Sequence, residues 1–175
     1  MLELAPALAS LADAASELAR AARAGSATVS DDSLLEYQRK LAASARLLEQ
    51  VGSTFAAEVA YRSRRELGYD GLAQRRGART PENLVQQVTG SSAPTARRLV
   101  RVGTMVAELA AHDAGGASPT EPWLVDVVRA AAAGSLSGEA VDAIRSGLGS
   151  PRDGVGADAL AGAARELLDE ASTLT

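Results

Sequence analysis

The chain has 175 residues, 46% of them hydrophobic and 3% aromatic, with no cysteine and a net charge of −4. That length can bury one sizeable core, while the lack of cysteine excludes disulfides and thiolate metal sites. No apolar run approaches the roughly 20 residues needed to cross a bilayer, and residues 1–24 intersperse acids and arginines, unlike a secretory leader; the expectation is a soluble, cytoplasmic protein with no membrane partner.

Alanine and leucine supply most of the apolar side chains. Both are strong helix formers, and few stretches are rich in β-branched or aromatic residues. The predicted fold is therefore all-α, a multi-helix domain with a long amphipathic helix and two helix-turn-helix-like hairpins. Its parts are an N-terminal helix and linker over residues 1–29, the long helix plus a basic helix-turn-helix over 30–112, and a second hairpin with a C-terminal helix over 113–175, packed on the same core.

In the first helix Leu2, Ala5, Leu8, Ala9, Leu11, Ala12 and Ala15 recur at spacings of three and four, and Gly25 with the Ser/Thr-rich segment 26–30 ends it. A cap among Ser30, Asp31 and Asp32 starts the long helix. Leu34, Leu35, Leu41, Ala45, Leu48, Val51, Phe55, Val59 and Ala60 give it a stripe reaching about Arg65, with Gly52 as a bend and Gly68 and Gly71 closing it. Its small residues Ala42, Ala45, Ala56 and Ala60 permit close helix approach, so a homodimer is one expected partner.

The stretch from Tyr61 to Arg101 holds nine arginines against the acids Glu66, Asp70 and Glu82, a local charge of +6 in a chain whose remainder carries −10. A local basic patch attracts a polyanion even where the net charge would repel one. Within it, Arg75, Arg76 and Arg79 fall in a loop beside a helix end, a natural place for phosphate contact.

Thr80 followed by Pro81 reads as an N-cap with proline at the first helical position, Leu84, Val85 and Val88 as a buried face, and Gly90 as a left-handed stop. Ser92 caps a second helix through Ala96, Leu99, Val100, Val102 and Val106, and the pair forms a helix-turn-helix. Arg97, Arg98 and Arg101 share a sector of about 100° on that second helix, apart from its apolar side. A recognition helix needs this division, with guanidinium groups for guanine edges or phosphates. Ser91, Ser92 and Thr95 at its N-terminus add hydroxyls and free amides for phosphate.

A weaker copy follows a Gly/Pro/Ser-rich linker from His112 to Pro122. Trp123, Leu124, Val127, Val128 and Ala131 form one face, Gly134 a turn, and Ser137 the cap of a helix through Val141, Ile144 and Leu148. It carries Glu139 and Asp142 where the first hairpin carries Thr95 and Arg98, so it reads as a packing module. After the loop 150–156, the segment from Ala157 to Leu174 is a last amphipathic helix with Leu160, Ala164, Leu167 and Leu168 as its stripe.

The run from Gly77 to Gly103, GARTPENLVQQVTGSSAPTARRLVRVG, the long helix before it, and AAAGSLSGEAVDAI from Ala131 to Ile144 resemble the N-terminal helical region of the actinobacterial thirteen-E-twelve repeat proteins, the domain of unknown function two-two-two. The resemblance spans about Ser33 to Thr175. Members commonly carry a C-terminal HNH nuclease domain, so it implies that this region targets such a nuclease to DNA. The family often has Ser-Pro at the second cap, whereas here Ala93 separates Ser92 from Pro94.

An HNH centre needs several histidines, and this chain has one, His112, expected to be an ordinary surface side chain. No phosphate-loop, HExxH or GxSxG pattern occurs; no catalytic residue, metal ligand or cofactor is expected. The functional expectation is a domain that binds double-stranded DNA through Arg97, Arg98 and Arg101 in a groove, with Arg75, Arg76 and Arg79 on flanking phosphates. The competing expectation is a helical dimerisation or interaction module without DNA contact.

Overall fold

The computed structural model describes residues 3–152 and 154–173. Eight α-helices account for most of them, and the only β pairing among the described residues is an isolated bridge between Arg152 and Val155. The helices are α1 (Leu4–Gly25), α2 (Asp31–Tyr61), α3 (Leu72–Arg75), α4 (Pro81–Thr89), α5 (Ala93–Asp113), α6 (Val125–Ala132), α7 (Gly138–Leu148) and α8 (Ala157–Thr173). The chain divides into two compact units between Ala42 and Ala43, inside α2.

The first unit contains α1 and the start of α2. Ser30 caps α2 by accepting the backbone N–H of Ser33 at 3.3 Å. No residue of α1 is buried.

The second unit holds the core. Val102, Met105 and Leu109 of α5 meet Val127, Val128 and Ala131 of α6, Val141 and Ile144 of α7, and Ala164 of α8, with Leu124 at the centre. Leu124, Val127 and Val141 are the largest fully buried side chains, each stabilising the fold by about 1.5–3 kcal/mol relative to exposure. A second cluster joins Ala56 of α2 to Val85, Ala96 and Val100, and a third joins Ala73, Ala78 and Leu84. Helices α5, α6, α7 and α8 thus share the largest of the three clusters.

Local chemistry explains the boundaries. The long helix stops at Tyr61, four residues short of the expected end, because the buried Ser63 hydroxyl accepts the Ala73 N–H at 3.0 Å and donates to the Val59 carbonyl at 2.7 Å. That bond draws the chain back onto α2 and allows the short helix α3 where the spacing indicated only a loop. The two hairpin turns form as expected. Gly90 and Gly134 adopt φ of +67° and +75°, a region that favours glycine, and Ser92 and Ser137 accept the N–H groups of Thr95 and Ala140, each at 3.2 Å.

Helices α2 and α5 approach closely at Gly103. A Cβ on Gly103 would fall 1.9 Å from the Ser53 carbonyl oxygen, so only glycine lets the two backbones meet there. Of the four alanines read as a stripe for self-association, Ala56 is buried and the half-buried Ala60 packs against the same cluster, so both already serve the core.

Candidate nucleic-acid interface

The candidate site is built on α3, α4 and the first turns of α5. Thr80 caps α4 by accepting the Asn83 N–H at 3.2 Å, and Pro81 occupies the first turn. Gly90 then reverses the chain into the Ser92 cap of α5. Around this hairpin a shallow polar depression of about 610 Å³ is lined by Gly77, Ala78, Arg79, Asn83, Gln86, Gln87, Gly90 and Ser91. Asn83 and Gln87, one helical turn apart on α4, are exposed and offer amides of the kind that pair with adenine edges.

The nine sequence candidates separate sharply. Arg75, Arg76, Arg79 and Arg97 are exposed. Arg75 donates to the Asp70 carbonyl, while Arg76, Arg79 and Arg97 have no ion-pair partner among the described residues. Arg98 and Arg101 instead turn inward. Arg98 Nε lies 3.4 Å from Glu49 Oε1 of α2, and both side chains are about three-quarters covered. Arg101 pairs with Asp142 of α7. The expectation of three free guanidinium groups on one recognition helix is therefore corrected to one, Arg97. Two acids distant in sequence, Glu49 and Asp142, capture the other two arginines.

The hydroxyls are also partly committed. Ser92 Oγ accepts the Thr95 N–H and lies 2.9 Å from Thr95 Oγ1, and Ser91 Oγ accepts a hydrogen bond from Thr89 Oγ1 at 2.8 Å. Ser91 still lines the polar depression, whereas Ser92 and Thr95 serve the start of α5.

Sequence reasoning missed the clamp that explains these captures. Glu49 Oε2 accepts the N–H of Gly138 at the start of α7, a helix end that favours negative charge. One turn earlier, Arg46 Nε donates to the Gly134 carbonyl at 3.2 Å, and Gln50 donates to the Ala131 and Ala132 carbonyls at the end of α6. The side of α2 that carries the buried Ser53 and Ala56, apart from its leucine-rich stripe, thus presents three polar side chains that hold the second hairpin. On that hairpin Arg145 is bound to Glu121 at 2.6 Å, and this contact raises the guanidinium above its usual value. His112 is exposed in the last turn of α5.

An apolar groove of about 520 Å³ lies beside the hairpin, between Phe55, Ala56 and Val59 of α2 and Leu84, Val85 and Val88 of α4, with Leu99 of α5. Val88, predicted to be buried, is 77% exposed on its rim.

The chain matches no protein-family model, no curated protein and no solved structure. No described helix is long and apolar enough to cross a membrane.

Proposed function

We propose that this domain binds double-stranded DNA through the α4–α5 hairpin, with Arg97 on α5 and Arg75, Arg76 and Arg79 beside α4 as the cationic contacts. The observation that carries the reading is a set of exposed arginines without acidic partners among the described residues, Arg76, Arg79 and Arg97, of which Arg79 lines the polar depression beside α4. Partnerless guanidinium groups at a helical hairpin suit phosphate oxygens and base edges, which only arginine meets with a planar fork. Arg98 and Arg101 hold the domain together instead. On the resemblance to the thirteen-E-twelve repeat proteins, the same surface targets an HNH endonuclease to DNA.

Fluorescence anisotropy with labelled duplex, titrated from low to physiological salt, tests the proposal. Each phosphate contact contributes a slope of about −0.9 in log affinity against log salt. Arg97→Ala, and the combined Arg75→Ala, Arg76→Ala and Arg79→Ala variant, should each weaken binding and flatten that slope while the helical spectrum persists. Absence of binding at low salt, or variants that bind as the parent does, would remove the assignment.

A further inference from the structure

Thirteen large apolar side chains of α1 and α2 are at least 40% exposed, and ten of them fall in a regular order along the two helices. On α1, Leu4, Leu8, Leu11, Ala15, Leu18 and Ala22 alternate at four and three residues, the a/d repeat of a coiled coil. The positions on both sides of that seam, Ala5, Ala12 and Ala19 and then Ala7, Ala14 and Ala21, are all alanine. Every charge of α1, on Asp13, Glu17, Arg20 and Arg23, falls on the remaining face. No like charges therefore oppose pairing along the seam.

On α2 a second repeat runs through Leu34, Tyr37, Leu41, Ser44, Leu48, Val51 and Phe55. Its large members are between 41 and 56% exposed, and it lies away from the side that carries buried Ser53 and Ala56. At Phe55 it opens into the apolar groove with Val88 and Leu99.

We infer that α1 and this outer stripe of α2 are the two halves of a homotypic interface, in which α1 of one chain covers the α2 stripe of a second copy and the reverse. Length supports it: at 1.5 Å per residue the α1 seam runs about 27 Å and the α2 stripe about 31 Å. So does area: the ten large half-exposed side chains of the two seams offer on the order of 900 Å², so two copies would cover about 1,800 Å², within the range of a standard stable interface. The occupant is a second copy because each chain supplies both complementary seams, which lets a two-fold axis satisfy all four at once. The inference is independent of the DNA reading, since none of the arginines proposed for DNA lies on α1 or α2.

The test is the mass of the full chain by light scattering after gel filtration, compared with Leu11→Glu on α1 and Leu41→Glu on α2. Both leucines are exposed in the single chain, so the fold of the second unit, read by the fluorescence of the sole tryptophan, Trp123, should persist. The expected result is twice 17.9 kDa for the parent, falling to a single chain in each variant with unchanged Trp123 emission. A parent that stays at 17.9 kDa at every concentration overturns the proposal, with α1 then free or folded on its own α2. A dimer that survives both substitutions overturns it equally, because another surface then joins the copies. Arg97→Ala should leave the mass unchanged, so loss of DNA binding and loss of pairing are separate results.

Discussion

Gly103 sets the distance between α2 and α5, and its effect runs opposite to the usual one. In an open helix Gly→Ala gains about 1 kcal/mol from propensity. Here the added methyl would meet the Ser53 carbonyl at 1.9 Å, so one helix must move. Gly103→Ala should lower the unfolding free energy by about 1–3 kcal/mol, read by urea titration of Trp123 fluorescence; equal or greater stability would show that the helices do not meet as described. Neighbouring arginines diverge in the same way. Arg98→Ala leaves Glu49 without its cation and should cost about 1–2 kcal/mol, whereas Arg97→Ala, on an exposed side chain, should stay within about 0.5 kcal/mol. The same titration distinguishes them, and equal losses would contradict the inward placement of Arg98. A helical period puts both arginines in one sector, but it carries no sign of Glu49, which arrives from another helix 49 positions away.

Among elements, the hairpin α6–α7 is held by a single face of α2, through Arg46 at the Gly134 turn, Glu49 at the start of α7 and Gln50 at the end of α6. These side chains satisfy backbone groups that helix ends leave open. Glu49→Ala removes a helix-end anion and the Arg98 partner together. It should therefore destabilise the second unit by about 1–3 kcal/mol, and by no further amount when Arg98→Ala is already present than the loss of the Gly138 contact. A double-mutant cycle with no coupling would show that the pair contributes nothing. The hairpins themselves were legible in the sequence because their signals are local: Thr80 before Pro81, Gly90 before Ser92, and Gly134 before Ser137 each act within a few residues. The short helix α3 was not, since four residues show no period and its placement depends on the Ser63 hydroxyl. Nor could the sequence tell which side of α2 is covered, because that helix is apolar on two sides, one facing Ala96 and Val100 through Ala56 and the other carrying Leu41 and Leu48.

At the scale of the whole molecule, the all-α architecture follows from composition, whereas burial along α2 is confined to its second half. From Ser53 onward α2 contributes buried side chains to the second unit; before it, no residue of α1 or α2 is buried. Stability is therefore uneven along the chain, and the segments with fewest buried contacts open at the least cost. Amide hydrogen exchange should find α5 and α6 protected to the level of global unfolding, with α1 exchanging far faster in dilute solution. Raising the protein concentration should slow α1 and residues 34–41 of α2 together, because they exchange by local opening that association blocks. Uniform protection across α1 and α5 in dilute solution would mean that α1 is held by contacts within its own chain.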